Sequence, residues 1–345
     1  MTDREPFSTA VWKQPETLEH AVRHITASVD AARIAPWKAG ETVAVIAMGA
    51  STHSAHALVA ALAERGVRSA NLTASDLLDS PAGFEPGDHY VVVSESGRSP
   101  EPIEAARRLA PGRRIAVTNY PEAQIAEVAD QVVGYGGIPD SPVYTAGYLA
   151  TLVSYGALIR AAGLPEAIDE GAVPQQVGAA LERYRAAAAD AAALFDGVRS
   201  ADLVGRGYSY TSAAQGALVF REALRLPTAP YETFQYLHGP MEAAGQGTGL
   251  VVFGDGRELD IVRDQAEAGV KVLVVSAAPA ERLAELAHDN VLTVPLPAHE
   301  TGLTRVITET IVIHLVTEAI AARRGITIEE FLYSQPDTKL EELAA

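Results

Sequence analysis

Residues 90–110 read YVVVSESGRSPEPIEAARRLA. An apolar β-branched run ends in three serines around one glycine, and a proline-initiated helical pattern follows at once. A buried strand that turns directly into a helix is the repeating step of a parallel sheet with crossover helices. The step recurs along the chain. TVAVIAMG (42–49) leads into SAHALVAALAERG (54–66), and RRIAVTNY (113–120) follows the helix of the opening stretch. Further on come DLVGRGYSY (202–210), SAAQGALVFREALRL (212–226), GTGLVVFGDG (247–256), AEAGVKVLVVSAAP (266–279) and a helical pattern from Thr304 to Arg324. The alternation predicts an α/β protein with two parallel sheets in tandem, each flanked by helices on both faces.

The two halves align with each other. Placing Gly49 over Gly207 puts Ser51 over Ser209, Ser54 over Ser212 and Ala55 over Ala213, and Gly97 falls over Gly256 with an offset one residue larger. A duplicated unit is the expectation. The copies differ where SESGRS (94–99) becomes FGDGRE (253–258), which has lost all three hydroxyls. The predicted layout is an N-terminal segment over 1–30, a first domain over 31–165, a linker helix over 166–195, a second domain over 196–325 and a tail over 326–345. The linker is placed by the Gly, Pro and acidic residues of AAGLPEAIDEGAVPQQVG (161–178).

The 345 residues suffice for sizeable cores. Cysteine is absent, which removes disulfides, thiolate nucleophiles and thiolate metal sites. No long apolar run suggests a signal peptide or a membrane span, so a cytoplasmic protein without membrane contact is expected. The formal charge of -17, from 27 basic and 44 acidic residues, argues against a nucleic-acid partner. A small anion can still be held by backbone N–H groups and one or two cations. Walker A and GxGxxG sequences are missing, and His53 and His56 have no partners at ligand spacing, so neither an organic cofactor nor a metal is expected.

In an open α/β sheet, ligands bind beyond the carboxyl ends of the strands, where the next helix presents unpaired N–H groups. Ser94, Ser96 and Ser99 stand there, with Gly97 letting the backbone approach a ligand, and Ser51 follows the neighbouring strand. The same serines could instead form only a turn and an N-cap, with Ser99 capping the helix at Pro100.

MGAST (48–52) and SESGRSPE (94–101) resemble the two phosphate-binding loops of the sugar isomerase (SIS) family. ETFQYLHGP (232–240) is similar to the His-Gly-Pro segment of that family's enzymes, and WKQP (12–15) to the N-terminal signature of its two-domain members. The resemblance runs from about residue 10 into the tail. It implies two tandem SIS domains and relatives such as the isomerase half of glucosamine-6-phosphate synthase, amino-sugar-phosphate deaminases and fructosamine deglycases. No glutaminase segment with an N-terminal cysteine precedes these motifs, so glutamine-driven amination is not expected.

By the same resemblance Glu222, in FREAL, is the base at the carbon beside the carbonyl. Its helical face carries Leu218, Val219 and Leu226, an apolar setting that would raise its pKa. A surface Glu paired with Arg225 is the plainer alternative. His238 matches the ring-opening histidine and would serve the neighbouring subunit, which makes a homodimer with shared active sites part of the expectation. Lys339 stands near the place of the family's tail lysine, at a different spacing. Substrate contacts fall to Ser51, Ser94, Glu95, Ser96, Gly97, Ser99, Thr145 and Gln235. Departures from the pattern are Glu95 for the usual Gln, Gln235 for Glu, Val219 for Lys, and Ala146 for the Lys after Thr145. A carboxylate beside a bound phosphate must point away or meet a cation such as Arg98. Loss of lysines weakens imine chemistry, so the expectation is an aldose–ketose isomerase acting through an enediol on a phosphorylated or otherwise anionic sugar. Deaminase or deglycase activity is the alternative, and a non-catalytic sugar-phosphate sensor the alternative of another class.

Overall fold

The computed structural model describes residues 4–333 and 335–341. Among them the chain divides into two compact units. Residues 4–5, 13–174, 332–333 and 335–341 form the first, and residues 6–12 and 175–331 the second.

The first unit follows the order α1 (Phe7–Ala31, whose first turns count with the second unit), β1 (Thr42–Ala47), α2 (Ala50–Glu64), β2 (Arg68–Thr73), α3 (Ala74–Leu78), β3 (His89–Val93), α4 (Pro100–Arg108), β4 (Arg114–Thr118), β5 (Gln131–Gly134) and α5 (Ala146–Ala161). Its five strands are parallel in the order β2-β1-β3-β4-β5. Ile46, Tyr90, Val92 and Ala116 on one face pack with Leu77, Ile103 and Ala106 of α3 and α4. Val43, Val45, Val91 and Val117, at the alternate positions, are equally buried. Burial on both faces is why these strands read as unbroken apolar runs. Helix α5 is buried at every position from Ala146 to Ile159, which accounts for its lack of a polar face.

The second unit contains α6 (Val173–Leu194, whose first two residues count with the first unit), β6 (Ser200–Gly205), α7 (Tyr208–Leu224), β7 (Thr228–Glu232), α8 (Thr233–Leu237), β8 (Thr248–Phe253), α9 (Arg257–Asp260), α10 (Val262–Glu267), β9 (Lys271–Ser276), α11 (Ala280–Ala284), β10 (Val291–Pro295) and α12 (Gly302–Arg324). Its strands are again parallel, in the order β10-β9-β8-β6-β7. Counted within each unit, both sheets have the order 2-1-3-4-5, the flavodoxin-like arrangement. Their reversal points lie between β1 and β3 and between β6 and β8.

The expected pairing of the copies holds at one strand end and fails at the other. Gly49 and Gly207 precede α2 and α7 with nearly the same backbone, φ 56 ψ -132 and φ 59 ψ -128. Gly97 and Gly256, by contrast, are not equivalent. Gly97 has φ +64 within a six-residue loop, 94–99, between β3 and α4. Gly256 has φ -116 and ends a three-residue loop, 254–256, between β8 and α9. The second loop is half as long, so alignment by glycine alone overlooked the deletion.

Glycine also sets the helix spacing in the second unit. A Cβ on Gly216 of α7 would lie 2.8 Å from Cδ2 of Leu203 and 3.2 Å from Cδ1 of Ile313. Gly216→Val is therefore expected to cost about 2 kcal/mol through overpacking, read as a lower midpoint in urea at unchanged slope.

Candidate functional site

In the first unit the loop after β3 closes on itself. The Gly97 N–H donates to the Ser94 carbonyl at 2.9 Å, and the Gly97 carbonyl accepts from Ile125 N at 2.9 Å. A Cβ on Gly97 would stand 2.6 Å from the Ala123 Cβ and 3.0 Å from Thr118 Oγ1, so both the left-handed backbone and the space demand glycine. Ser94 and Ser96 are buried. Ser94 Oγ donates to Ser99 Oγ at 3.2 Å, and Ser96 Oγ accepts from Arg98 N at 3.3 Å. Ser99 occupies the N-cap position of α4, yet its hydroxyl makes no capping bond. The hydroxyls are grouped with one another rather than spent on the helix end. Ser51 is half-buried at the second position of α2, across the reversal point.

Glu95 turns out of this group. Its carboxylate accepts from Asn119 Nδ2 at 3.0 Å and bonds Tyr144, while its carbonyl accepts from Asn119 N and Thr118 Oγ1. Burial raises the Glu95 pKa, and the charges of Lys339 and Arg4 oppose the rise. Two cations distant in sequence, Lys339 and Arg4, thus act on Glu95. Lys339 is half-buried, donates to the Tyr144 hydroxyl at 3.1 Å and lies 5.7 Å from that ring's centroid. Its pKa is lowered, first by burial and then by Arg4 and Arg98, against the opposing pull of Glu95. The tail continues along the loop, with Leu340 N donating to the Arg98 carbonyl at 2.9 Å. Arg4, Arg98 and Lys339 therefore bring positive charge beside the serine loop of an acidic chain.

Thr145 is buried before α5. Its N–H and hydroxyl donate to Asp140, the hydroxyl at 2.6 Å, and Gly147 N reaches the same carboxylate at 2.7 Å. Burial pushes Asp140 up to about 6 against these donors. The structure thus groups Ser94, Glu95, Ser96, Gly97, Ser99, Thr145 and Lys339 in one unit. It adds Arg4, Asn119, Asp140 and Tyr144, which no local pattern marked; only the position of Tyr144 and Asp140 within PDSPVYTAG (139–147) hinted at them.

In the second unit Glu222 lies in the last turns of α7. The helix ends at Leu224, so Leu226 is not on its face as expected, and Glu222 is exposed rather than set among apolar side chains. Enough protein still surrounds the carboxyl to strip part of its hydration, which raises it to about 7. Arg225 does not pair with it. That residue takes a left-handed φ of 53, and its guanidinium reaches the carbonyls of Thr327 and Glu330. His238 caps the end of α8, exposed, its N–H donating to the carbonyls of Phe234 and Gln235. Gln235 is exposed on α8.

The topology separates Glu222 from His238. Helix α7 runs back along the sheet from the carboxyl end of β6, so its last turn lies at the amino end of the strands. His238 follows β7 and lies at the carboxyl end. A strand of five residues, roughly 17 Å, stands between those levels.

Residues 195–323 match the SIS domain family. Over 277 residues the chain is 27% identical to the glutamine–fructose-6-phosphate aminotransferase (isomerizing) of Bradyrhizobium diazoefficiens, covering 74% of this chain and 45% of that protein. The chain spans about half the length of the curated relatives it matches. In fold it is similar to the C-terminal domain of glucosamine-fructose-6-phosphate aminotransferase from Francisella tularensis, with a TM-score of 0.77 at 14% identity over 95% of this chain and 99% of that one. It is also similar to glucosamine-6-phosphate deaminase from Thermotoga maritima, with a TM-score of 0.70 at 14% identity over 95% and 98%.

Gly97→Ala tests the loop. It is expected to cost about 2 kcal/mol in stability, because the left-handed backbone and the Ala123 contact must both give way. Titration with inorganic phosphate should show weakened binding in the folded variant.

Proposed function

Because the chain carries a SIS domain and is homologous to the isomerase domain of glucosamine-fructose-6-phosphate aminotransferase, we propose that it is an aldose–ketose isomerase of a phosphorylated or otherwise anionic sugar. The observation that carries this reading is Glu222, a carboxyl raised to about 7 and so able to take a proton and return it near neutrality. The serine loop with Arg4, Arg98 and Lys339 beside it holds the anionic group.

Glu222 removes the proton from the carbon next to the carbonyl, the electron pair moves onto the carbonyl oxygen, and the adjacent hydroxyl passes its proton to that oxygen through the enediol stage. The same carboxyl returns the proton to the neighbouring carbon. His238 exchanges a proton with the ring oxygen as the sugar opens and closes. Glu222 and His238 lie at opposite ends of one sheet, so a single unit does not present both to one substrate. A homodimer in which His238 completes the partner's site accommodates this separation.

Lys339 favours a second reading. A half-buried amine with a lowered pKa beside the serine loop suits imine formation, and with it deamination or deglycation of an amino-sugar phosphate. The glucosamine-6-phosphate deaminase of similar fold keeps that alternative open. Val219 and Ala146, where lysines were expected, weigh toward isomerisation.

Incubation in D2O with aldose, ketose and amino-sugar phosphates, followed by NMR, should show deuterium entering at C1 or C2. Glu222→Gln should slow that exchange by about 10²–10⁴-fold. Amine release that depends on Lys339 would select the second reading, and binding without exchange would leave a sensor. With Glu222 as base, kcat/KM should fall as pH drops through about 7. Stability should respond in the opposite sense. The folded carboxyl binds its proton more tightly than the unfolded one, so stability falls as pH rises from about 4.5 to 7. Glu222→Gln should therefore melt higher than the wild type at pH 8 while losing exchange. Mixing inactive Glu222→Gln and His238→Asn protomers should restore about a quarter of the activity if the sites are shared, since half the random dimers carry one intact site. No recovery would exclude the shared arrangement.

A further inference from the structure

The strand-end crevice of the second unit contains a charged network that the proposed reaction does not use. Glu309, in the middle of α12, is fully buried. Its carboxylate accepts from Ser209 Oγ at 2.8 Å, Ser212 Oγ at 2.5 Å and Arg305 Nε at 2.8 Å. The rest of the Arg305 guanidinium meets Asp255 in the loop after β8, with Nη2 3.0 Å from Oδ1. Asp255 also accepts from Ser276 Oγ at 2.9 Å and Ala277 N at 2.7 Å, at the end of β9.

This network occupies the counterpart of the serine loop's surroundings in the first unit. Ser209 and Ser212 follow Gly207 as Ser51 and Ser54 follow Gly49, on helices entered with the same backbone. Where Ser212 meets Glu309, Ser54 meets the neutral Tyr155 hydroxyl at 2.7 Å. Where the first unit has the six-residue serine loop, the second has the short loop that carries Asp255. Hydroxyls, a guanidinium and backbone N–H groups at the reversal point of a parallel sheet make an environment for an anion. The second unit supplies that anion from its own chain.

We propose that Ser209, Ser212 and Arg305 form a latent site for phosphate-like anions, kept occupied by Glu309 and Asp255, so that each chain binds its anionic ligand only at the serine loop. A tethered carboxylate competes as an intramolecular ligand, at an effective concentration that free phosphate does not match. Burial of Glu309 costs solvation, and Arg305 with two hydroxyls compensates it. Removing Glu309 frees Arg305 Nε and both hydroxyls, and removing Asp255 frees the two Nη groups of the guanidinium. The confinement to one loop rests on the anion-binding reading of the first unit; the latent site does not.

Equilibrium dialysis with radiolabelled inorganic phosphate on the full-length chain separates the two. Wild type should bind about one phosphate per chain, and Ser94→Ala/Ser96→Ala should bind none. Adding Glu309→Ala or Asp255→Asn to that double variant should restore about one, with a rise in melting temperature on phosphate addition, and Arg305→Gln should abolish it again. Asp255 is a third exposed, so Asp255→Asn decides the matter where Glu309→Ala does not fold. Folded variants that bind no phosphate at millimolar concentration would overturn the latent site. A wild type that binds none, beside a Glu309→Ala variant that binds, would instead overturn the reading of the serine loop.

Discussion

A parallel sheet covered by helices on both faces gives most residues of its central strands no polar outlet. Val43, Val45, Val91, Val117 and their alternating neighbours are all sealed in apolar contacts. Polar chemistry is forced to the strand ends, and it concentrates where the strand order reverses and two loops diverge. In this protein those places are the ends of β1 with β3 and of β6 with β8. The serine loop and the Glu309 network stand there.

One topology has been put to two uses. In the first unit a long loop brings hydroxyls together beside Arg4, Arg98 and Lys339, and the adjacent helix offers a neutral Tyr155. In the second, three residues are missing from the loop, and α12 supplies a carboxylate in place of the phenol. The difference is chemical rather than architectural, since both helices after the reversal point begin from a left-handed glycine of the same geometry.

Net charge is a poor guide at this scale. The chain carries -17, yet three cations from distant parts of the sequence gather at the serine loop. Interactions beyond about 10 Å are largely screened at ordinary ionic strength, so the potential at that loop is set by those three cations rather than by the distant acidic surface. Glu95, the carboxylate that the sequence sets between two serines, is turned aside by Asn119 and Tyr144. Hydration acts just as locally at Glu222, where partial enclosure suffices to bring an exposed carboxyl near neutrality.

The alternation of strands and helices, the duplication and the serine cluster at a strand end are legible in the amino-acid sequence. Each is written in short-range patterns: β-branched runs, helical periodicity, and glycine and serine at turns. Glu222 and His238 are singled out by resemblance alone, because nothing local distinguishes Glu222 from an ordinary helix residue. The tertiary structure decided the rest. It set Lys339 against Tyr144, 195 positions away, and Glu309 against Ser209, 100 positions away. It ended α7 before Leu226, and it placed Glu222 and His238 at opposite ends of a sheet. Such pairings follow from how elements close on one another, and periodicity along the chain carries no record of that distance.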